Sequence, residues 1–141
     1  ALGSTRLASV EQRIAMLAIQ GVCAWTDCDV PMSETEMHHI LAYIQGGKTD
    51  LANLAGLCRR HHSWNNDYRD GRGGKSHVAK CSDTGRIAVV APDGTVSFND
   101  TVSYHQSPGA KLRQRDHKIE SRQAPDPPMF HPPQRRRRTP A

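Results

Sequence analysis

The stretches CAWTDC at residues 23–28 and CRRHH at residues 58–62 decide the fold of this chain. Each contains a short pair of potential metal ligands, and about thirty residues separate the two pairs, a spacing typical of zinc sites. In chain order these ligands are Cys23, Cys28, Cys58 and His61. A zinc ion needs about four nitrogen or sulfur ligands in tetrahedral array. We therefore predict a structural zinc site formed by these residues.

A second cluster of ligand-type residues, EMHHI at residues 36–40, lies between the two pairs. Successive side chains of a strand point to opposite faces, so His38 and His39 cannot easily grip one ion, and we expect them to have different roles. Around a helix, His62 would point about 100° away from His61. We expect His61 to face the zinc and His62 a separate site.

Composition limits the size of the core. The 141 residues fit one domain, and the proline- and arginine-rich end leaves roughly 100 for a core. Only 36% of the residues are hydrophobic and 5% aromatic, so burial alone would stabilise the domain weakly. A metal staple is expected on these grounds too.

The net charge of +5 is concentrated at the end of the chain. Residues 1–109 hold 10 basic and 11 acidic side chains, whereas residues 110–141 hold 9 and 3. Such a cationic arm can contact phosphates without reading sequence, because counterion release supplies the affinity. Alternatively it is a solvated tail that aids solubility. Proline and charge dominate from residue 107 onward, so we expect residues 107–141 to be disordered.

The remaining cysteine, Cys81, has no obvious partner, which favours a reducing compartment. It could pair with His77 as a further metal pair, although the first four ligands already satisfy one zinc. Neither a signal peptide nor a membrane span is evident. We expect a cytoplasmic protein without a membrane partner. Because the chain begins with Ala1, we also expect it to be part of something longer.

Periodicity predicts the elements around the zinc ligands. Residues 7–20 should form an amphipathic helix with a Ser9–Gln12 capping box and Gly21 after its end. Its apolar stripe, which should pack against the zinc module, is Leu7, Val10, Ile14 and Leu17. A strand–strand–helix unit should follow, comprising residues 37–41, 54–57 and 59–68. Short strands are then expected at 76–81, 86–91 and 95–98, with a type I turn at 91–94.

The segment GGKTDLANLAGLC at residues 46–58 completes a pattern that joins both clusters. His-His-Ile, a Gly-Gly turn, Thr-Asp-x-x-Asn-Leu and Leu-Cys-x-x-His-His together resemble the HNH endonucleases, particularly those that close longer repeat-associated proteins of actinobacteria. The resemblance covers about residues 5 to 100 and is strongest over 21–66. It implies an α+β fold with a small zinc-stapled ββα-metal core, treble-clef-like, preceded by a helix and followed by an appended antiparallel sheet.

The resemblance divides the chain into four parts. We expect an N-terminal helix at residues 1–20, an HNH nuclease core at 21–70, a small antiparallel sheet at 71–106, and the basic tail at 107–141.

The resemblance also implies roles for individual residues. His38 and His62 correspond to ligands of a catalytic divalent metal, His39 to the general base, and Asn53 to the residue that braces the loop carrying the base. Many relatives carry a further histidine where this chain has Asn66. Asn66 would share a helix face with His62 and is a tolerable ligand for Mg²⁺ or Mn²⁺, but a plain surface asparagine fits equally well.

These roles together imply a metal-dependent DNA endonuclease that cleaves phosphodiester bonds, with structural Zn²⁺, catalytic Mg²⁺ or Mn²⁺, and double-stranded DNA as partner. A zinc-dependent nucleic-acid-binding module without activity is the first alternative. A purely structural zinc ribbon is the second, and it leaves the histidine cluster unexplained. Trp25 could stack on a base or pack beside the zinc. Basic residues that flank the motif and could hold phosphates or simply face solvent are Lys48, Arg59, Arg60 and Lys75.

Overall fold

The computed structural model describes residues 6–123, with side chains described for residues 6–115. Its helices and strands are α1 (Val10–Ile19), β1 (Thr35–His39), β2 (Leu54–Cys58), α2 (Arg59–Trp64), β3 (His77–Lys80), β4 (Ile87–Val90), β5 (Val96–Phe98), α3 (Val102–His105) and α4 (Pro108–Gln123). Strands β1 and β2 pair as one antiparallel sheet, and β3, β4 and β5 form a second in that order. The expected mixture of helices and small antiparallel sheets is confirmed.

The hairpin of β1 and β2 leads directly into α2, as the predicted strand–strand–helix order requires. Strand β2 is buried along its whole length, and its register places His38 opposite Ala55. Helix α2 stops at Trp64, before the predicted end at residue 68. The reason is tertiary: the backbone N–H of Asn66 donates to Ser76 O at 2.9 Å instead of continuing the helix.

Helix α1 has its predicted capping box, but the expected packing face is wrong. The residues that face the domain are Gln12, Met16 and Gln20, spaced four apart. The Gln20 amide donates to Gly56 O at 2.8 Å and accepts from Gly56 N at 3.1 Å, so two glutamines and one methionine fix the rotation of the helix. The apolar stripe is instead 44–75% exposed, and it consists of Leu7, Val10, Ile14 and Leu17.

The second sheet shares the main core with the metal-binding module. Val78 of β3 and Val89 of β4 lie in one buried cluster with Leu57 of β2 and the three ligand-type cysteines. At the turn between β4 and β5, Gly94 N donates to Ala91 O at 2.9 Å, as predicted for residues 91–94. The sheet is therefore part of the domain's core rather than a loose appendage.

The segment from residue 108 to 123 is helical, which differs from the disorder expected over 107–141. Ser107 caps this helix through its Oγ, which accepts from Ala110 N at 3.2 Å, and proline at the first helical position suits the start of a helix. Ala110 is buried beside Val22 and Tyr104, which explains why this part of the tail is ordered. The arginine run at 135–138 lies outside the described residues.

Candidate metal centre and adjoining cleft

The predicted zinc ligands converge on one point. One ligand atom from each of the four residues lies within 4.8 Å of all the others, and every one of these residues is buried. His61 offers Nδ1, which lies 3.5 Å from Cys23 Sγ and 3.3 Å from Cys58 Sγ. The set is Cys23, Cys28, Cys58 and His61. Three thiols and one imidazole at this spacing fit a tetrahedral zinc site.

Burial keeps the thiols of this cluster neutral in the absence of a cation. Desolvation raises the pKa of the Cys23 thiol to about 12 and also raises that of Cys28. At neutral pH these thiols would remain protonated without a metal, whereas a coordinating thiol is deprotonated outright. The backbone N–H of Cys58 donates to Cys23 Sγ at 3.3 Å, which suits a sulfur that carries negative charge. The donor set therefore fits zinc in chemistry as well as in spacing.

Two residues that are not ligands brace the metal centre. The buried Asn99, which follows β5, donates from Nδ2 to both Cys23 O and Cys28 O at 2.7 Å. Trp25 stacks on the His61 ring with centroids 5.1 Å apart and planes within 5°. Trp25 thus packs on a metal ligand, in agreement with the core-packing alternative. No local sequence signal pointed to Asn99, because it lies more than seventy residues from Cys23.

A cleft of about 710 Å³ opens beside this centre. Its lining includes His38 and His39 of β1 and His62, which follows the zinc ligand His61. The structure therefore brings the predicted catalytic histidines together. The charged and titratable lining residues are Arg6, Arg13, His38, His39, His62 and Asp67. His38 and His39 both border this one cleft but bond to different partners, Asn65 and Thr49 respectively.

His38 forms the buried end of the cleft and is 5% exposed. Desolvation lowers its pKa to about 4, so the imidazole is neutral at pH 7. Val78 N donates to Asn65 Oδ1 at 2.8 Å, which orients the amide so that Asn65 Nδ2 faces His38 Nε2 at 3.2 Å. Since the amide nitrogen can only donate, Nε2 of His38 carries the lone pair and its proton sits on Nδ1. This lone pair is the one that a metal would use.

His39 lies at the more open part of the cleft. Its Nε2 lies 2.7 Å from the hydroxyl of Thr49, which is completely buried, and its ring meets the edge of Tyr43. Desolvation, followed by the nearby positive charge of Arg6, lowers the pKa of His39 below the ordinary 6.5. At neutral pH the ring is therefore an available proton acceptor. In the tautomer in which Nε2–H donates to Thr49 Oγ1, Nδ1 is the nitrogen that can accept a proton.

His62 is oriented by a carboxylate that the sequence reasoning missed. Its Nδ1 lies 2.5 Å from Glu36 Oε2, and this hydrogen bond is the largest cause of a lowered Glu36 pKa. With Nδ1 held by Glu36, Nε2 is the free ring nitrogen. The rings of His38 and His62 lie 5.2 Å apart and nearly perpendicular, which suits two imidazoles that share one ion. Alternation along β1 puts Glu36 on the same face as His38.

Asn53 braces the loop that follows β1. Its Oδ1 accepts from Leu41 N at 2.8 Å, while Nδ2 donates to Leu41 O at 3.0 Å and Lys48 O at 2.9 Å. This contact ties both ends of the loop to the start of β2. Gly47 is required inside it, since a Cβ there would lie 1.8 Å from Leu41 O. These contacts hold the backbone of the loop in place and involve no proton transfer. They are consistent with a residue that orients the site.

Asn66 does not lie on the face predicted for it. Because α2 ends at Trp64, the helical spacing from His62 does not apply. The Asn66 amide instead donates to Asp70 Oδ1 at 3.0 Å and accepts from Tyr68 N at 3.1 Å. It is absent from the residues that line the cleft. Its proposed role as a metal ligand has no support in this geometry.

The positive charge at the cleft comes from the N-terminal segment. Arg6 and Arg13 line it, whereas none of the four flanking basic residues considered from the sequence does so. One of those four, Arg60, covers the Trp64 ring at 4.7 Å. Contact between the N-terminal segment and the cleft was not predictable from local spacing.

The His77 and Cys81 pair flanks β3 without forming a ligand group. Among residues 6–115, a single set of three or more close ligand-type side chains occurs, and it is the Cys₃His centre. Cys81 sits at the turn after β3, where its backbone N–H donates to Arg86 O at 2.8 Å. Within the described part of the chain, no helix has the length and apolarity needed to cross a membrane.

Comparison with known proteins identifies the same segment. Residues 21–67 match the family model described as HNH endonuclease. Two uncharacterized proteins of Mycobacterium tuberculosis, from strains CDC 1551 / Oshkosh and ATCC 25618 / H37Rv, are 42% identical to this chain over 57 residues. The alignment covers 40% of this chain but only 13% of each relative. No solved structure matches the chain.

The family match implies a nuclease-type function with metal binding, since HNH domains act on nucleic acid with a divalent metal. The Cys₃His cluster adds a zinc-type centre to that description. The resemblance to the HNH endonucleases that the motifs predict is therefore confirmed, and it lies in residues 21–67.

Proposed function

We propose that this chain is a metal-dependent HNH endonuclease that hydrolyses phosphodiester bonds of DNA, with one catalytic Mg²⁺ or Mn²⁺ and a histidine general base. In this proposal β1, β2 and α2 are the ββα-metal unit, and zinc holds its base. The observation that carries it is the meeting of His38, His39 and His62 in one cleft, with Asn53 bracing the adjoining loop.

His39 would take the proton from the attacking water. It is half-buried, and its lowered pKa keeps the ring neutral near neutral pH. In the tautomer in which Nε2–H donates to the Thr49 hydroxyl, Nδ1 would accept that proton. A positioned base of this kind contributes about 10²–10⁴ in rate. Asn53 would act indirectly, by holding the loop from Leu41 to Lys48 against the end of β1.

His38 and His62 would hold the catalytic ion through their Nε2 atoms. A divalent ion at this position supplies Lewis-acid stabilisation to the phosphate and to the departing 3′ oxygen. Glu36 orients His62 by its contact with Nδ1, an arrangement common around metal-bound imidazoles. His62 then presents the Nε2 lone pair to the cleft, whereas Nε2 of His38 would have to exchange the Asn65 amide for the ion.

The substrate would be held by charge rather than by base readout. Arg6 and Arg13 add positive charge to the rim of the cleft, and helix α4 carries Lys111 and Arg115 before the arginine-rich end of the chain. Such contacts favour the phosphate backbone of double-stranded DNA without sequence preference.

One feature favours the alternative of a zinc-dependent nucleic-acid-binding module without activity. The side chain at position 66 is an asparagine engaged with Asp70, so the site lacks the third ligand many relatives carry there. A binding module, however, has no need of a base at His39.

Nicking of supercoiled plasmid by the zinc-loaded protein in Mg²⁺ or Mn²⁺ separates the two functions. We expect metal-dependent nicking that falls at least ~10²-fold in His39→Ala, with DNA binding retained. His105→Ala is the matched control, since His105 contacts Asp100 outside the cleft. Absence of nicking by wild type would leave the binding module as the better description. Equal nicking by wild type and His39→Ala would mean that His39 is not the base and that the cleavage does not arise from the proposed mechanism.

A further inference from the structure

We propose that Ile44 is a wedge that enters duplex DNA at the cleft and unstacks one base step beside the bond to be cut. This inference rests on the proposed function, because it needs DNA in the cleft, and it deepens that function by naming the shape of the bound substrate. It concerns the loop from Leu41 to Lys48, which contains none of the proposed metal ligands.

Ile44 stands at the mouth of the cleft with its side chain in solvent. It is 93% exposed, more than any other large hydrophobic residue in the part of the chain that the structure describes. Isolated exposed hydrophobic residues are ordinary on protein surfaces. Ile44 differs from these because it lines the same cleft as His39 and His62. DNA bound at these histidines therefore lies against Ile44.

Half of the cleft lining is apolar or aromatic, which binding of phosphates by charge alone does not require. This apolar wall consists of Leu7, Ala8, Met37, Ala42, Tyr43 and Ile44. The flat faces of the bases are the largest apolar surfaces of DNA, and in an intact duplex each face is covered by its stacked neighbour. The apolar wall is therefore complementary to a strand whose stacking is interrupted, while Arg6 and Arg13 supply charge for its phosphates.

The loop that carries Ile44 is held in shape, as a wedge requires. Gly46 N donates to Tyr43 O at 3.0 Å, which closes a tight turn around Ile44. Gly46 has a φ of 92°, a conformation that glycine adopts readily. The Asn53 amide ties both ends of the loop to the start of β2. Isoleucine is β-branched and stiff at χ1, so its side chain loses little freedom on insertion.

Insertion of such a side chain has a known effect on DNA. An aliphatic wedge partly unstacks a base step and kinks the duplex. Pyrimidine–purine steps such as TA and CA are the most easily unstacked. Phosphate contacts carry no sequence information, so the wedge would give this cleft a preference for deformable steps that its charges cannot supply.

Duplex oligonucleotides that carry 2-aminopurine report unstacking without cleavage, because the fluorescence of this base rises when its neighbours move away. The zinc-loaded protein is mixed with such duplexes in the absence of Mg²⁺ and Mn²⁺, with 2-aminopurine placed beside a TA step. We expect the fluorescence to rise when wild type binds. Ile44→Ala should bind the same duplex without the rise.

Nicking of the same duplexes in Mg²⁺ gives a second readout. Ile44→Ala should nick a fully paired duplex roughly tenfold more slowly than wild type, since a tenfold change in rate needs only part of the energy of unstacking one step. A mismatch is already easy to unstack, so Ile44→Ala should nick a mismatched duplex within about twofold of the wild-type rate. Equal impairment on the paired and the mismatched duplex would make Ile44 an ordinary contact and overturn the wedge.

Ile14→Ala is the matched control, because Ile14 is also an exposed isoleucine, at 60%, and does not line the cleft. Its fluorescence rise and its nicking rate should equal those of wild type. Wild type that nicks DNA without raising the fluorescence overturns the wedge and leaves the nuclease proposal standing. A fluorescence rise without nicking overturns the nuclease proposal and leaves the wedge on a DNA-binding module. Absence of DNA binding by wild type overturns both.

Discussion

Truncation of Asn99 should loosen the zinc centre although Asn99 is not a ligand. Asn99 Nδ2 donates at 2.7 Å to the carbonyls of Cys23 and Cys28, and the residue is 2% exposed. Removing the donor leaves two buried carbonyls short of a partner, at about 1–3 kcal/mol each. Partial relaxation brings the expected total to roughly 3 kcal/mol, or about two orders of magnitude in zinc affinity where binding is coupled to folding.

Competition with a chromophoric zinc chelator measures this effect directly, and thermal unfolding of the zinc-loaded protein measures the loss of stability. Asn99→Asp sharpens the test, because it keeps an oxygen that accepts from Thr101 N and Thr101 Oγ1 but loses the N–H donors of the amide. Thr101→Ala is the converse control, since it weakens the α3 cap and spares the carbonyl contacts. Wild-type zinc affinity in Asn99→Asp would refute this account of the brace.

Three further outcomes are expected. Cys58→Ser, or a strong chelator, should remove about one bound zinc per chain together with cooperative unfolding; zinc-free protein that still unfolds cooperatively would contradict the four-ligand centre. The rate of nicking should follow the fraction of His39 in the neutral form, whose pKa lies below 6.5. The rate should therefore exceed half of its high-pH plateau at pH 6.5 and fall at lower pH. A midpoint of the pH–rate profile above 6.5 would argue against His39 as the base. Deleting residues 124–141 should reduce the slope of log affinity against log salt concentration for DNA binding by roughly 0.9 for each phosphate that the deleted arginines neutralise. The turnover at saturating DNA should not change. An unchanged slope would mean that this segment does not touch phosphate.

The choice of deletion point follows from α4. Ala110 is buried beside Val22, and Arg113 donates to the Tyr104 hydroxyl at 3.2 Å, so removal from residue 110 would expose part of the core. A loss of affinity in that longer truncation would mix unfolding with loss of charge. The shorter deletion keeps the two apart.

Features set by short-range chemistry were predictable from the sequence. Each of the two zinc-ligand pairs, the Ser9–Gln12 capping box and the turn at 91–94 depends on residues a few positions apart, and all of them are present. Features set by distant partners were not predictable. The packed face of α1 is chosen by the bonds of Gln20 to Gly56, thirty-six residues away, which outweigh an apolar stripe of ordinary helical period.

The residues of the cleft show the same difference between local signals and distant partners. His38, His39 and His62 could be named from their motif, and the structure gathers them. Asn66 was misplaced, because the end of α2 depends on a bond to Ser76 that no local propensity encodes. Asp67 went unnoticed for the same reason. Glu36 carried a local signal, since it precedes His38 by two positions in a strand and so shares its face.

The adjacency of His61 and His62 also limits how this chain can vary in length. One peptide bond separates the histidine that faces the cysteines from the histidine that faces the cleft, and both sit on a six-residue helix that begins immediately after Cys58. Inserting or deleting one residue between Cys58 and His61 would rotate both histidines by about 100° around the helix axis relative to Cys58. Either centre could then form only at the expense of its neighbour. Changes of length should be tolerated in the glycine-rich loop at 71–74 and forbidden in these five residues.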